Sequence, residues 1–335
     1  MRNRPLRILH CANFNEKILG ATFYATDYKI SNGLIRNGHF VHNFSYRDVA
    51  RDLAFMRIRN FGTAAMNRDL IATIEQINPD LLLLGHSELV DNVTLKAIKV
   101  LRPSIKIAMW WVDWVANMTS RRTFYECRLN IADHVFFTTD PDIFKAEFSV
   151  ENADRKMHYM PNVCDSSVET GQAFAEDSHL HDIVFIGRSD VDRRPLITHL
   201  QEQFKDFNVG IYGQTPETLL LGDDYNATLA QCFIGINFNR RNDIPLASSD
   251  RLLHMVANGC LVMSPKVPRL DEIFSNKEIV YFEDFKDFED KARYYLTHRE
   301  EAREIAEAGY RRAHRDYEAQ KVVNKMLEII FSDAP

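Results

Sequence analysis

The fold is decided by a short apolar stretch that ends on a glycine and an arginine, Asp182-Ile183-Val184-Phe185-Ile186-Gly187-Arg188. An apolar run followed at once by glycine is typical of a buried strand in a parallel sheet that turns sharply into the next segment. A similar run, Leu81–Leu84, occurs in the first half of the chain. Because helical patterns alternate with such runs in both halves, the sequence predicts two doubly wound α/β domains.

The first series of alternating elements predicts six strands, each from a short apolar run. They are Arg7–Cys11, Phe40–Phe44, Asp80–Leu84, Ile105–Trp111, His134–Thr138 and Lys156–Tyr159. Apolar residues at helical spacing predict helices between these strands, and Asn37-Gly38, Pro79 and Pro103 mark where three of the helices end. These helices are Thr22–Arg36, Asn67–Ile77 and Val93–Leu101.

The second series begins after Ser166–Ser178, a polar stretch without an apolar period that is typical of an interdomain linker. The predicted strands are Asp182–Gly187, Val209–Tyr212, Ile234–Phe238, Leu261–Ser264 and Ile279–Tyr281. The predicted helices are Arg194–Phe204, Tyr225–Gln231, Asp250–Ala257, Pro268–Phe274, Phe285–Leu296 and a long region over Glu300–Phe331, with a kink near Asp316.

These patterns predict four parts of the chain. They are a Rossmann-like domain at 1–162, a linker at 163–180, a second Rossmann-like domain at 181–315 and a terminal helix at 316–335 that packs back on the first domain. Ligands in open α/β sheets bind beyond the carboxyl ends of the strands. We therefore expect the two domains to face a central cleft that holds the site.

Composition narrows the class of protein. The chain has 335 residues and a net charge of −6, which favours two domains and argues against a nucleic-acid partner, because nucleic-acid binding needs a basic field. Its five cysteines are odd in number and form no CxxC pair, so we expect free thiols in a reducing cytoplasm. The longest apolar runs are too short to cross a bilayer, and no signal-peptide core follows Met1.

The first strand-to-helix turn excludes a dinucleotide-dependent oxidoreductase. Its sequence, Cys11-Ala12-Asn13-Phe14-Asn15, lacks the GxGxxG pattern that brings a backbone close to a pyrophosphate, and no acidic ribose ligand follows at the expected distance.

Motifs along nearly the whole chain resemble the CgeB-like branch of the group-1 glycosyltransferases. In the first half they are Pro79–Leu84, Met109–Asp113, Ala132–Asp140 and Tyr159–Pro161. In the second half they are Asp182–Arg188, Ile236–Arg240, Ser249–Leu252, Ala257–Cys260 and Ile305–Tyr310. No single motif is decisive, and the resemblance lies in their order and spacing.

The resemblance implies a GT-B fold and transfer of a sugar from a nucleotide-sugar donor, held mainly by the second domain, without a metal or another cofactor. The acceptor would be a glycan, a lipid-linked molecule or a protein, in the synthesis of a bacterial surface polysaccharide or glycoconjugate. One departure stands out, because His254 replaces the glutamate that holds the donor ribose in this family, and Leu246 replaces its upstream partner. The alternative is therefore a catalytically inactive GT-B scaffold that binds a nucleotide or a partner protein.

The candidate donor-binding residues suit the charge that develops on a leaving diphosphate, which guanidinium groups and helix N-termini stabilise. They are Gly187, Arg188, Arg193, Asn239, Arg240, Arg251, His254 and Gly259. Gly187 and Gly259 would let the backbone approach the nucleotide closely. Other interpretations stay open: Arg188 and Arg193 could pair with Asp190 and Asp192, Arg251 could form a local ion pair, and His254 could be a buried structural histidine.

Two residues are candidates for catalysis on the acceptor side. Asp113 follows an apolar strand, where a carboxylate can accept or orient the acceptor hydroxyl, or can instead cap the next helix. His10 lies at the end of the first strand and is the second candidate base; His86 and Glu88 are weaker ones.

Arginines alternate with apolar residues over the 47–68 region, as in Arg47, Arg51, Leu53 and Arg68. That mixture suits contact with an anionic membrane surface or a lipid-pyrophosphate, so the protein could lie at the inner face of the membrane. A solvated helical face is the stronger interpretation.

Overall fold

The computed structural model describes residues 4–54, 59–188 and 190–332, without the side chains of Arg59 and Asn60. The chain divides into two compact units. The first unit is Met1–Pro161 together with Ala319–Pro335, and the second unit is Asn162–Glu318.

The first unit is built on a parallel sheet of six strands in the order β2-β1-β3-β4-β5-β6. The strands are β1 (Arg7–Ala12), β2 (Phe40–Ser45), β3 (Leu81–Gly85), β4 (Lys106–Trp111), β5 (His134–Phe137) and β6 (Met157–Tyr159). Strand β3 is buried along its whole length, because helices cover both faces of a parallel sheet and exclude water from its central strands.

Among the described residues of the first unit, eight α-helices come before the chain enters the second unit. They are α1 (Thr26–Arg36), α2 (Tyr46–Asp52), α3 (Arg59–Ile77), α4 (Asn92–Leu101), α5 (Val115–Thr119), α6 (Arg122–Ile131), α7 (Pro141–Glu147) and α8 (Ala153–Lys156). Apolar side chains from these helices and from one face of the sheet form a continuous core that includes Leu70, Leu95, Met109 and Phe137.

The second unit carries a parallel sheet of five strands in the order β11-β10-β9-β7-β8. The strands are β7 (His181–Ile186), β8 (Val209–Tyr212), β9 (Cys232–Ile236), β10 (Leu261–Pro265) and β11 (Val280–Phe282). The helices are α9 (Arg194–Gln203), α10 (Asp223–Ala230), α11 (Asp250–Ala257), α12 (Phe285–Thr297) and α13 (Arg299–Asp316).

The last helix, α14 (Ala319–Phe331), belongs to the first unit and packs against α1. The two helices approach closely at Gly33, where a Cβ atom would lie only 2.6 Å from the carbonyl carbon of Ala319. Asn37 supports the contact, since its side-chain amide donates a hydrogen bond of 2.8 Å to the carbonyl of Gln320.

All eleven predicted strands are confirmed, with ends displaced by no more than two residues. The helix predictions are less complete. Pro268–Phe274 contains only a single 3₁₀ turn at Leu270–Glu272, and the long region over Glu300–Phe331 is two helices separated at Tyr317 and Glu318. Helices α2, α5, α6, α7 and α8 were not predicted, since an apolar period is hard to recognise in elements of one to three turns.

Each sheet reverses its strand order once, and that point positions the site. In the first unit the chain builds outward from β1 to β2 and then crosses to β3 on the other side of β1. In the second unit the chain builds outward from β7 to β8 and then crosses to β9 on the other side of β7. Loops diverge there at the carboxyl ends of the strands and leave a crevice suited to a ligand.

Candidate functional site

The reversal point of the first unit is marked by a strained turn after β3. His86 and Ser87 both have left-handed backbone conformations, with φ of 49° and 36°. Residues other than glycine are uncommon in this region, and they occur where the surrounding structure enforces them. The Ser87 hydroxyl helps, because it donates a hydrogen bond of 2.9 Å to the carbonyl of Cys11 at the end of β1.

Arg128 of α6 fixes the same loop from beneath. Its guanidinium is fully buried and donates hydrogen bonds to the carbonyls of Ser87, at 2.8 Å, and of Val90. Its Nε donates to the side-chain oxygen of Asn92 at 3.2 Å. Burial lowers the pKa of Arg128 to about 10, so the group remains charged at neutral pH. A buried charge is stable only when its donors are satisfied, so this loop and the arginine hold each other in place.

The turn presents the His86 imidazole to Asp113, which follows β4. His86 Nδ1 lies 3.5 Å from Asp113 Oδ2, and the ring stacks on Trp111 with ring centres 4.3 Å apart. The Asp113 side chain is 53% exposed, so an incoming molecule can reach it. A carboxylate beside an imidazole stabilises the charged ring and selects its tautomer, which is the arrangement of a general base.

His10, the other predicted base, is enclosed. Its Nε2 accepts a hydrogen bond of 3.0 Å from the indole N–H of Trp110, so Nδ1 carries the proton and donates to the Ser31 hydroxyl at 2.8 Å. That hydroxyl donates in turn to Asn43 at 2.8 Å. Burial lowers the pKa of His10 to about 3. Both ring nitrogens are engaged and the side chain is fully buried, so this arrangement does not offer His10 to an acceptor hydroxyl.

In the described part of the 47–68 region, the first two arginines form ion pairs within the first unit. Arg47 binds Glu88 through Nε at 2.9 Å, and Glu88 also accepts a hydrogen bond from Tyr46. Arg51 lies 3.4 Å from Asp48. Phe55, Met56, Arg57 and Ile58 lie outside the described residues. The predicted membrane contact therefore loses two of its basic groups to internal ion pairs.

The reversal point of the second unit is organised by Arg251, in the first turn of α11. Its two terminal nitrogens each donate a 2.8 Å hydrogen bond, one to the carbonyl of Ile186 at the end of β7 and one to that of Phe238 after β9. Burial lowers the pKa of Arg251 to about 10. The guanidinium thus connects the two diverging strand ends. Gly187 makes this possible, because a Cβ atom there would lie 2.9 Å from Arg251 Nη1.

Further arginines lie in the loops around Arg251, which we call a clamp because it binds the carbonyls at the ends of two strands. Arg193 donates to the same Phe238 carbonyl at 3.3 Å and lies 3.7 Å from Asp190. Arg240 donates to Asp190 at 2.8 Å. Arg188 is exposed beside Gly187 and, across the part of the chain that the structure describes, makes no ion pair or side-chain hydrogen bond. Arg188 is therefore the cation of this group that is available to a ligand.

Asn239 completes the predicted residues at this edge, and it is buried with its amide 3.4 Å from the carbonyl of Ala247. A neighbouring series of hydrogen-bonded polar side chains was not predicted from the sequence. Ser249 donates to Asn237 at 3.1 Å, and Asn237 donates to Ser264 at 3.0 Å, across the ends of β9 and β10. The available signal was a polar residue directly after the apolar strand β9.

His254 and Gly259 are not brought together with these residues. His254 is 2% exposed, and its Nδ1 lies 3.1 Å from the buried carboxylate of Glu169. Gly259 follows the far end of α11 with φ of +82°, where a Cβ atom would lie 2.7 Å from the backbone nitrogen of Ala173. Both residues hold the 169–174 segment against α11, and Glu169 could not be anticipated because it lies in the stretch predicted to be a linker.

A cavity of ≈ 930 Å³ lies elsewhere in the second unit, along β11. Its cations are already paired: Lys266 lies 3.1 Å from Glu283, and Lys291 lies 2.7 Å from Asp287. None of the predicted donor-binding residues is among the described residues that line this cavity. The reversal point of the sheet, rather than this cavity, therefore carries the chemistry suited to a diphosphate.

Comparisons with known proteins agree with this geometry. Residues 188–328 match a family model described as glycosyl transferase-like. Among curated protein sequences, none matches the chain significantly. Three similar solved structures share the fold. An α-glucosyltransferase in complex with UDP-glucose and DNA is 13% identical, with a TM-score of 0.68 over 98% of this chain and 100% of that one.

The second is sucrose-phosphate synthase from Thermosynechococcus elongatus, which is 12% identical with a TM-score of 0.62 over 97% of this chain and 98% of that one. The third is HepE from Anabaena in complex with UDP and glucose, 11% identical with a TM-score of 0.57 over 98% and 100%. The fold and the family match define the class: the protein is a glycosyltransferase with the GT-B fold. Membership of the CgeB-like branch within that class stays a prediction.

These structures correct one prediction. The net charge of −6 predicts that nucleic acid is not a partner, but α-glucosyltransferases that match nearly the whole chain are bound to DNA. The exclusion is wrong because the charge of a whole chain does not describe the electrostatic field at one of its faces.

As for membranes, none of the helices within the described ranges has both the length and the apolar character that a bilayer crossing requires.

Proposed function

We propose that the protein transfers a sugar from a nucleoside-diphosphate sugar bound at the β7/β9 reversal point of the second unit. The observation that carries the proposal is the exposed Arg188 beside Gly187, surrounded by Arg193, Arg240 and Arg251. The Arg188 guanidinium, together with the positive end of the α9 helix dipole, would stabilise the negative charge of the leaving diphosphate. Arg251 would act indirectly, by holding the strand ends at the spacing that the diphosphate requires.

The donor that we propose first is a UDP-sugar. Support comes from the solved structures that share the fold, since an α-glucosyltransferase is bound to UDP-glucose and HepE to UDP and glucose. Because His254 is buried against Glu169, the nucleotide's ribose would be held by groups other than the residue at the family's glutamate position. We further propose that transfer needs no metal at the diphosphate, since the arginines supply the positive charge there.

On the acceptor side we propose that His86 and Asp113 act as a pair. Asp113 orients the imidazole through Nδ1. Nε2 then accepts the proton of the acceptor hydroxyl as the new bond to the sugar forms, which requires that this nitrogen, buried in the structure, be uncovered when the acceptor binds. The separation of 3.5 Å is long for a hydrogen bond, and such contacts commonly shorten when substrates bind. This assigns Asp113 its predicted catalytic role and gives His86 the place that was first given to His10.

The acceptor class follows from the sequence resemblance and remains a proposal. We propose a glycan, lipid-linked or protein acceptor in bacterial surface polysaccharide or glycoconjugate synthesis, with the enzyme in the cytoplasm. Contact with the inner face of the membrane is a weaker proposal, because Arg47 and Arg51 are paired within the fold.

The test has two stages. Thermal-shift and calorimetric titrations with UDP, GDP, CMP and dTDP sugars should give stabilisation by one nucleotide class, and UDP-sugars are expected to be that class. Release of the nucleotide is then followed with glycan, lipid-linked, peptide and oligonucleotide acceptors. Binding without turnover on any acceptor would favour the inactive scaffold, and failure to bind every nucleotide sugar would overturn the donor site.

A further inference from the structure

Three potential metal ligands meet in the second unit, apart from the residues assigned to the donor. They are Cys164, which lies just after the chain enters this unit, His314 near the end of α13, and Glu318 at the unit's last position. One side-chain atom from each lies within 4.8 Å of the other two. Cys164 is fully buried and Glu318 is 8% exposed, so the group is enclosed by protein.

The backbone brings these residues together. The N–H of Cys164 donates a hydrogen bond of 3.0 Å to the carbonyl of Tyr317, and Cys164 and Glu318 form an isolated parallel bridge. His314 lies one helical turn before Glu318 on the same side of the chain. The arrangement therefore depends on main-chain pairing and does not rest on long, mobile side chains.

The distances between the ligand atoms fit one small metal ion. His314 Nδ1 lies 3.4 Å from Glu318 Oε2, and Cys164 Sγ lies 3.9 Å from the same oxygen. Tetrahedral zinc, with bonds of about 2.0 Å to nitrogen and oxygen and about 2.3 Å to sulfur, separates its ligand atoms by roughly 3.3–3.6 Å. These two pairs need a contraction of a few tenths of an ångström, whereas Cys164 Sγ and His314 Nδ1, which lie within 4.8 Å of each other, need one of up to about 1.3 Å.

The atoms that face away from the centre are held by protein groups. His314 Nε2 donates a hydrogen bond of 3.0 Å to the carbonyl of Ala257, which directs Nδ1 inward. Glu318 Oε1 accepts hydrogen bonds from the backbone N–H of Ser166 at 3.0 Å and from its hydroxyl at 3.1 Å. Metal-binding histidines and carboxylates are typically oriented by such contacts, and these contacts provide evidence separate from the cluster itself.

We propose that Cys164 Sγ, His314 Nδ1 and Glu318 Oε2 bind Zn²⁺, with water as the fourth ligand. A sulfur ligand disfavours Mg²⁺ and Ca²⁺, and a mixed sulfur, nitrogen and oxygen set suits zinc. Binding releases the thiol proton of Cys164, and any proton on Nδ1, to solvent, and no electron is transferred. The metal would tie the segment that enters the second unit, after Pro161, to the segment that leaves it, before Ala319.

The experiment uses the untagged full chain, loaded with Zn²⁺ and then dialysed. Elemental analysis should find about one zinc per chain, and substitution with Co²⁺ should give a thiolate-to-metal charge-transfer band. In Cys164→Ser the band should disappear and zinc affinity should fall by more than about 100-fold, since loss of a supporting contact alone costs about 10–100-fold. The matched control is Cys127→Ser, because Cys127 is a free thiol outside the cluster and should keep both signals.

Three results would overturn the proposal: wild-type protein that retains no zinc, a Co²⁺ complex without the thiolate band, or unchanged zinc affinity in Cys164→Ser. If that variant does not fold, His314→Gln and the wild-type Co²⁺ spectrum decide the question. These measurements are independent of sugar transfer, so they stand whether or not the donor assignment is correct.

Discussion

The two sheets reverse strand order in the same way, yet they place different chemistry at that point. Each reversal is held by a buried arginine on main-chain carbonyls, Arg128 in the first unit and Arg251 in the second, and burial lowers the pKa of each to about 10. The first unit surrounds its clamp with imidazoles, indoles and a carboxylate, whereas the second presents further guanidinium groups. The shared part is therefore scaffolding, and we propose that the difference separates handling of a proton from stabilisation of a diphosphate.

The largest expected effect separates these two roles. His86→Gln should lower kcat by about 10²–10⁴-fold, because the acceptor hydroxyl loses its base, while donor affinity is retained. Steady-state kinetics with the best acceptor, together with titration of the donor, measures both quantities. His10→Gln serves as the histidine control and should lower kcat far less at equal folded fraction. A large loss of donor affinity in His86→Gln would contradict the division between the units.

Removing the clamps tests whether they are equivalent. Arg251→Met and Arg128→Met should each lower the free energy of unfolding by about 3 kcal/mol, since buried carbonyls lose charged donors. Denaturant unfolding measures this effect. Donor affinity should fall in Arg251→Met and persist in Arg128→Met, whose turnover should fall instead. The same functional defect in both variants would show that the two reversal points do not act separately.

A smaller effect is expected from the exposed cation. Arg188→Ala should weaken donor binding by about 10–100-fold, because one charged hydrogen bond to the diphosphate is lost, with little change in stability. Calorimetric titration gives the Kd. The control, Arg241→Ala, removes a nearby exposed arginine that is already paired with Asp243 and should leave the Kd unchanged. Equal Kd values in wild type and Arg188→Ala would remove Arg188 from the site.

The last prediction concerns the pH dependence of stability in the first unit alone. The pKa of His10 is about 3 in the folded protein and about 6.5 when unfolded, so the unfolded state binds the extra proton between these values. Stability from the neutral ring is complete above about pH 6.5 and is lost as pH falls, by about 1.4 kcal/mol per unit. His10→Asn should reduce this slope when unfolding is measured from pH 7 to pH 4. Ser31→Ala breaks the same hydrogen-bonded chain but keeps the imidazole, so its slope should remain.

The sequence predicted the sheets well because continuous apolar runs such as Leu81–Leu84 have few alternatives to a buried strand. It also predicted that Gly187, Arg188, Arg193 and Arg251 lie near one another, since the ends of adjacent parallel strands share one edge. What it could not supply was pairing across long sequence separations. His254 meets Glu169, and Arg128 meets the carbonyls of Ser87 and Val90. Such contacts leave no periodic signal. The sequence alone therefore does not distinguish a buried arginine that holds the fold together from an exposed arginine that can bind a ligand.

The close contact of α1 with α14 sets an order on folding during synthesis. Gly33 is made early, but its partner Ala319 emerges from the ribosome only after all of the second unit has been translated. Domains usually fold in the order in which they are made, but here the one begun first is finished last. Until then one face of α1 lacks its packing partner, so the nascent first unit exposes a surface that α14 covers in the finished protein.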